Sequence, residues 1–158
     1  MDTLIIFTAK YLIYISAIIF VIASAILLRR GYRDYALTLV IAVFTAIILA
    51  KIASRLYFDP RPFMLNQTPP LIPHSPENGF PSSHTLASVL MGLVLWKYNR
   101  RVAALLLVFA LCIGISRVLA QVHHALDIVG AAVIALIAVV LAEVIIKHGY
   151  IMKLGKDK

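Results

Sequence analysis

A histidine and an aspartate, His123 and Asp127, stand four residues apart, where the last apolar run of the chain begins. If a helix has already begun at His123, the Asp127 carboxylate can accept a hydrogen bond from one ring nitrogen. That bond would fix the imidazole tautomer and leave the other nitrogen as a nucleophile or base. A second histidine, His84, is available as a general acid for a departing oxygen.

Basic side chains and hydroxyl groups accompany these histidines, and the combination is typical of a phosphate site. Arg61 and Arg117 carry planar guanidinium groups that match the oxygens of a tetrahedral phosphate. Ser83 and His84 stand where an apolar run begins, so the N–H groups of a helix N-terminus would add further donors. The remaining candidate ligands are the hydroxyl of Ser116 and two cations one turn apart, Lys51 and Arg55.

Membrane helices must position these groups, because 62% of the 158 residues are hydrophobic and only 14% are charged. In ordinary globular domains, about 45–50% of the residues are apolar and about 25% are charged. Lipid tolerates only helices or closed barrels, and the alternating pattern of barrel strands is absent. The fold class is therefore all-α, an integral-membrane helical bundle formed as a single membrane domain over residues 1–158.

Five transmembrane helices are predicted, at residues 11–28, 35–56, 85–96, 102–115 and 128–146. The third and fourth are short for a span, so we expect their ends to continue through the polar residues beside them. One long connection, about residues 57–82, holds six of the seven prolines. A loop of this length is usually functional or disordered.

The net charge of +8 indicates orientation more than a polyanionic partner. Ten of the fifteen Lys and Arg residues fall on one predicted face with three acids, whereas the other five share the histidine face with four acids. By the positive-inside rule, the C-terminus is cytoplasmic, the N-terminus is outside and the histidines face the extracytoplasmic side of the cell membrane. No nucleic-acid partner is predicted.

No residue set is typical of a metal or cofactor site. The carboxylates are too few and too dispersed for Mg²⁺, and the histidines lack zinc-type spacing with cysteine partners. The arginines would then have to stabilise the phosphate charge, so we expect activity that survives chelators.

The same residues resemble the phosphatidic acid phosphatase type 2 family of integral-membrane lipid phosphatases. The family signature has three parts, Lys-x6-Arg-Pro, Pro-Ser-Gly-His and Ser-Arg-x5-His-x3-Asp. Its third part is complete here, as Ser116, Arg117, His123 and Asp127. The second is Pro81-Ser82-Ser83-His84, with serine in place of glycine, and the first keeps Arg61-Pro62 but has Ser54 in place of the lysine.

Within the family, the segment from Arg61 to His84 is most similar to the bacitracin-resistance type of undecaprenyl pyrophosphate phosphatase. The resemblance implies that His123 attacks phosphorus to form a phosphohistidine, that Asp127 orients it, and that His84 protonates the departing lipid phosphate and later activates water. It also implies that the phosphoryl oxygens of a polyprenyl diphosphate are held by Arg61, Ser83, Ser116, Arg117 and either Lys51 or Arg55. The six helices usual in the family would allow a short sixth helix in the loop.

Two alternatives to this function stay open. A phosphatase of phosphatidylglycerol phosphate or phosphatidic acid would use the same chemistry, and a lipid-binding or transport subunit would need only the cations. The sequence leaves undecided the roles of His74, Glu77 and His124, and it does not determine the oligomeric state.

Overall fold

The computed structural model describes the backbone of residues 1–156 and the side chains of residues 1–149, and in this part it contains helices and no strand. The expected all-α bundle is confirmed, and one short helix does lie in the long loop. The helices are α1 (Asp2–Arg29), α2 (Arg33–Leu56), α3 (Pro62–Asn66), α4 (Ser83–Leu95), α5 (Arg100–Leu119) and α6 (Ala125–Lys156).

Within the described residues, four helices are long and apolar enough to cross a membrane, namely α1, α2, α5 and the Ala125–Gly149 part of α6. Each presents large apolar side chains outward, and Ile18, Phe44, Leu111 and Val129 are all more than half exposed. Such surfaces are costly in water but match the hydrocarbon of a bilayer. The chain is therefore a multi-pass membrane protein.

Helix α4 departs from the expected spans because it has only 13 residues. Its length is about 20 Å at 1.5 Å per residue, against a hydrocarbon thickness of about 30 Å. The expected extension into neighbouring polar residues occurs only at its start, at Ser83, whereas α5 does extend in both directions to 20 residues. Helix α4 contacts all four long helices, and six of its residues are buried. It is the central helix of the bundle, so protein rather than lipid surrounds it.

The two basic connections meet at one end of the bundle. Tyr98, between α4 and α5, packs edge-on against Tyr35 at 5.2 Å and against Tyr32 at 5.8 Å between ring centroids. Tyr35 is fully buried and shares a hydrogen bond with Ser24 of α1. The clusters around Arg30 and Arg100 therefore lie at the same end, opposite the histidines.

The long loop, residues 57–82, is folded against the α5–α6 junction at the other end. Ile72 is 2% exposed and packs with Ala120 and Val122. The Leu71 N–H donates to the Ala120 carbonyl at 3.2 Å, and the Phe63 N–H donates to a carbonyl of the same junction at 3.2 Å. These contacts anchor the loop over the end of the bundle where the candidate residues meet.

Candidate active site

His123 and Asp127 form the hydrogen-bonded pair that their spacing predicted, although α6 begins only at Ala125. His123 Nδ1 is 3.0 Å from Asp127 Oδ2, and both side chains are at most 2% exposed. Asp127 is in the first turn of α6, where its Oδ2 also accepts from the His124 N–H at 2.9 Å, as in one half of a capping box. The pair is therefore held by the backbone at the N-terminus of α6. No complete helical turn connects the two residues.

The other ring nitrogen of His123 faces two arginines. Its Nε2 is 3.3 Å from Arg61 Nη1 and 3.4 Å from Arg117 Nη2. Because Nδ1 donates to the carboxylate, Nε2 carries the lone pair. Burial lowers the pKa of His123, and this effect outweighs the hydrogen bond to Asp127, which raises it. The imidazole is consequently neutral at pH 7, and Nε2 is available as a nucleophile.

In the part of the chain that the structure describes, the two guanidinium groups are buried without an ion-pair partner. Arg61 is 7% exposed and Arg117 is 2% exposed. Their nitrogens contact backbone carbonyls, with Arg61 Nη1 donating to Val122 at 2.8 Å and Arg117 Nη1 donating to Ala9 at 3.4 Å, and both Nε groups lack a partner. Among the described side chains, residues 1–149, neither arginine forms an ion pair. Burial lowers the pKa of Arg61, against an opposing effect of Asp127.

Asn78, which the sequence analysis did not single out, ties the two ends of the loop beside Arg61. Its Oδ1 accepts from the Asp59 N–H at 2.9 Å and the Phe80 N–H at 3.0 Å. Its Nδ2 donates to the Ser54 carbonyl at 2.9 Å, and its own carbonyl accepts from Arg61 Nη2 at 3.4 Å. An asparagine in a proline-rich loop has no sequence signal that distinguishes this bracing role from an ordinary turn.

The N-terminus of α4 lies beside the His123–Asp127 pair. The Ser82 N–H donates to the Asp127 carbonyl at 3.2 Å, which joins the start of α4 to the start of α6. Ser82 forms no side-chain cap, so the N–H groups of Ser83 and His84 in the first turn point outward for an acceptor. His84 is half-buried and lies close enough to Arg117 and His123 to interact with their charges.

Two cavities border these groups. A cavity of about 280 Å³ is lined by Lys51, Ser54, Arg61, Ser83 and His123 among others, and Arg55 is not among its lining residues. A larger apolar groove of about 660 Å³ lies between α1, α2 and α4 and begins at Ser83 and His84. Of the two cations expected from α2, Lys51 is thus the one that borders the cavity lined by His123.

Ser116 is buried, but its hydroxyl donates to the Ile113 carbonyl within α5 at 2.8 Å. In this arrangement its proton is not offered to an anion. His74, whose role the sequence left open, does reach the site, with Nε2 3.1 Å from Arg117 Nη2 and its ring centroid 6.1 Å from that of His123. The long loop allowed a contact between His74 and the site, but the sequence did not show that its partner would be Arg117.

Among the side chains that the structure describes, one group could hold a metal ion, and the sequence did not predict it. Ligand atoms of Asp59, His124 and Asp127 lie within 4.8 Å of one another, and His124 Nδ1 is 3.1 Å from Asp59 Oδ2. Asp59 is distant in sequence, so the acids seemed dispersed. The group lies on the Nδ1 side of His123, so an ion there would brace the loop against α6 without facing the Nε2 that the arginines surround.

A buried imidazole that faces two arginines, with an apolar groove beside it in a helical bundle, is the arrangement expected of a membrane phosphatase that acts on lipids. Comparison with known proteins supports this class. Residues 31–148 match the model of the PAP2 superfamily, and the chain belongs to this family. The matched range includes all the candidate residues, from Lys51 to Asp127.

Two curated relatives are called BcrC. The chain is 28% identical over 137 residues to "Undecaprenyl-diphosphatase BcrC" of Bacillus subtilis, which covers 87% of this chain and 70% of the relative. It is 32% identical over 135 residues to "Bacitracin transport permease protein BcrC" of Bacillus licheniformis, covering 84% of this chain and 65% of the relative. The chain thus spans about two thirds of the length of these relatives.

Two solved structures share the fold. LpxE of Aquifex aeolicus superposes with a TM-score of 0.72 at 24% identity, covering 89% of this chain and 85% of that one. A PAP2-type phosphatidylglycerolphosphate phosphatase of Bacillus subtilis superposes with a TM-score of 0.56 at 20% identity, covering 93% and 84%. At these identities the similarity establishes the fold alone.

Proposed function

We propose that this protein is an undecaprenyl-diphosphate phosphatase that removes the terminal phosphate of a polyprenyl diphosphate through a phosphohistidine, without a metal ion. The observation that carries the proposal is the burial of Arg61 and Arg117 around His123 Nε2 without any carboxylate of their own. Burying an unpaired charge costs several kcal/mol, about 3–5 kcal/mol when a partner is removed. A phosphoryl dianion is the partner whose oxygens match both guanidinium groups.

The first chemical step uses His123 and His84. The Nε2 lone pair attacks the terminal phosphorus, an N–P bond forms, and the bond from phosphorus to the bridging oxygen breaks. For this step His84 must carry a proton, which the negative charge of the bound diphosphate favours, and it donates that proton to the departing lipid monophosphate. Asp127 stabilises the positive charge that develops on the imidazole, and the arginines with the α4 N–H groups stabilise the equatorial oxygens.

The second step returns the enzyme to its starting state. His84, now neutral, takes a proton from water as the water oxygen attacks phosphorus. The N–P bond breaks, and inorganic phosphate leaves. Each proton and bond is accounted for by these two histidines and one water, so no cofactor is required.

The apolar groove supports a substrate with a hydrocarbon tail. It begins at His84 and Ser83 and continues along Phe20 of α1 and Val43 of α2. Because the tail belongs to the departing lipid monophosphate, the group that protonates the bridging oxygen must stand on the side where the tail leaves the polar site. His84 stands at that point. The name of the Bacillus subtilis relative favours a polyprenyl diphosphate over a glycerophospholipid.

The proposal also includes the orientation of the protein in the membrane and its organisation as one domain. We infer that residues 1–158 form one membrane domain, that the N-terminus and the loop at residues 57–82 are extracytoplasmic, and that the C-terminus is cytoplasmic. The separation of the basic connections from the histidine end, together with the positive-inside rule, supports this orientation.

The decisive experiment measures phosphate release from undecaprenyl diphosphate by purified protein in detergent containing EDTA. We expect turnover by the wild type and a loss of at least about 100-fold in His123→Ala and His84→Ala. His148→Ala, an exposed histidine near the other end of α6, is the matched control and should keep full activity. Wild-type protein denatured during turnover in SDS at alkaline pH, where the N–P bond survives, should contain phosphohistidine. Full activity in both site variants would exclude the mechanism, and activity lost in EDTA but restored by a metal would exclude metal independence.

A substrate panel on the same preparation separates the alternatives. Faster hydrolysis of phosphatidic acid or phosphatidylglycerol phosphate than of undecaprenyl diphosphate would assign the enzyme to glycerophospholipids. Headgroup binding without turnover of any lipid phosphate would leave only the binding or transport role.

Lys51 and Arg55 provide a second, matched test because they lie one turn apart on α2. We expect Lys51→Ala to raise KM by about 10-fold or more, since it removes a charged ligand beside the 280 Å³ cavity. Arg55→Ala should change kcat and KM by less than about 2-fold, as expected for an exposed charge outside the site. The reverse ranking would assign the missing signature lysine to Arg55.

A further inference from the structure

His74 is presented to the active site by a well-anchored part of the long loop. Two residues before it, Ile72 is 2% exposed and packs with Ala120 and Val122. The preceding Leu71 N–H donates to the Ala120 carbonyl at 3.2 Å. His74 itself is half-buried. The packing of Leu71 and Ile72 on the α5–α6 junction therefore holds the nearby residue His74 next to Arg117.

One guanidinium nitrogen lies between two imidazoles. Arg117 Nη2 is 3.1 Å from His74 Nε2 and 3.4 Å from His123 Nε2, and the two rings meet edge-on at 6.1 Å. A guanidinium group can only donate hydrogen bonds. His74 Nε2 is therefore an acceptor without a proton, and it occupies one of the directions in which Arg117 would bind an anion.

The charges around His74 keep it neutral while no anion is bound. Burial, Arg61 and Arg117 together lower the pKa of His74 to about 4. The groups that face it are Arg61 before α3, Arg117 of α5, His84 of α4 and His123 before α6, and Glu77 of its own loop acts on Arg61. A phosphoryl dianion among these groups would offset the arginine charges and favour an imidazolium at His74.

The position of the reacting phosphorus brings substrate oxygens to this ring. Reacting atoms in a productive complex stand about 3–3.5 Å apart, so phosphorus lies that far in front of His123 Nε2. An oxygen bound to Arg117 Nη2 is then beside His74 Nε2. Two lone pairs would repel each other there, and a proton on Nε2 converts the repulsion into a charged hydrogen bond.

We propose that His74 is a phosphate-binding residue that contacts an oxygen of the transferred phosphoryl group beside Arg117 and takes up a proton when the anion binds. This inference rests on the proposed function, because it places the phosphoryl group at His123. His74 lies outside all three parts of the signature.

The test uses orthovanadate, a mimic of the phosphoryl group in transfer, and inorganic phosphate as probes. Their binding to purified wild type, His74→Ala, His74→Gln and the loop control Ser75→Ala is measured by calorimetry between pH 5.5 and 8, alongside kcat and KM for undecaprenyl diphosphate. We expect His74→Ala to weaken both probes and raise KM by about 10-fold or more, with a smaller change in kcat. Ser75→Ala should match the wild type.

The pH dependence separates a ligand from a merely structural residue. His74→Gln has an amide donor and should recover part of the affinity, but it cannot titrate. Wild-type affinity should therefore decline more steeply than that of His74→Gln as the pH rises, since the ionisation of the probe is common to both. Parallel pH profiles, or unchanged probe affinity in His74→Ala, would overturn the inference.

Assays with two lipid substrates distinguish this inference from the proposed function. Phosphatidic acid and undecaprenyl diphosphate should lose activity to a similar extent in His74→Ala, because the contacted oxygen belongs to the transferred group. A loss confined to the diphosphate would overturn that placement. If the wild type turns over no lipid phosphate, the proposed function fails, whereas calorimetry with inorganic phosphate still decides whether His74 binds the anion. If His74→Ala does not fold, the comparison of wild type with His74→Gln decides it.

Discussion

His123 Nε2 faces two guanidinium groups that are buried before any substrate arrives. Charges held in this way do not need to reorganise during phosphoryl transfer, which is the largest source of catalytic power in many active sites. The same arrangement destabilises the protein without an anion, because desolvated cations lack compensation. Anions that mimic phosphate should therefore stabilise the fold as well as inhibit the proposed reaction.

The acid limb of the pH profile follows from the environment of His123. The imidazole must be neutral to attack, and burial lowers its pKa below the ordinary value of 6.5. Activity should thus persist as the pH falls through 6.5 and should decline only at the lowered pKa. Asp127→Asn removes a group that raises this pKa, so its acid limb should lie at still lower pH and its rate should fall at least about 100-fold. Measurement of kcat/KM between pH 4.5 and 8 tests the expectations for the wild type and for Asp127→Asn. A midpoint of the wild-type acid limb at or above pH 6.5 would contradict the assignment of His123 as the nucleophile.

At the scale of elements, the site is assembled from helix ends and the loop that closes over them. Residues 59–61 and 78–80 are adjacent in space, with the Gly79 N–H donating to the Asp59 carbonyl at 2.8 Å. A Cβ at Gly79 would lie 2.8 Å from Asp127 Oδ2 and 3.2 Å from the Asp59 carbonyl. The absence of a side chain at this position lets the loop approach the histidine–aspartate pair.

Gly79→Ala should therefore disturb catalysis more than stability. The added methyl group pushes against the oxygen that orients His123, and we expect kcat to fall about 10-fold or more. Gly149→Ala is the matched control, because a Cβ there meets nothing within 4 Å among the described residues. The measurements are kcat and the thermal unfolding midpoint. Equal activity in the two variants would show that the loop shifts to accommodate the methyl group without moving Asp127.

At the scale of the whole molecule, the two ends of the bundle have different roles. The connections at one end carry clustered arginines and lysines, and the other end holds the histidines, the long loop and the α4 N-terminus. The central α4 can be short because the four long helices face the lipid around it. The positive-inside rule then predicts the side on which the substrate head is hydrolysed.

Cysteine labelling in intact cells tests this orientation. Cys112 is the only cysteine, so Cys112→Ala provides a background without thiols. In that background, Ser75→Cys in the exposed part of the loop should react with a membrane-impermeant maleimide added outside. Lys97→Cys, exposed in the α4–α5 connection, should react only after permeabilisation. The opposite pattern would place the active site in the cytoplasm.

Much of this architecture could be predicted from the sequence because its causes are local. Apolar runs in lipid must be helical, which predicted the spans ending near Leu56 and Arg29. The four-residue spacing of His123 and Asp127 indicated their hydrogen bond, which is present, although the helix expected to provide it begins only at Ala125. Helix α4 was harder to predict, since its length depends on being surrounded by other helices and not on its own composition.

The sequence by itself determined the class of fold and the residue types needed to bind a phosphate, because hydrophobicity and motif spacing act within single segments. Only the tertiary structure decided that Lys51 rather than Arg55 borders the cavity, that Asn78 braces the loop and that His74 contacts Arg117. Those contacts join segments far apart in the chain. They depend on how the loop packs on the α5–α6 junction, and no local pattern encodes that packing.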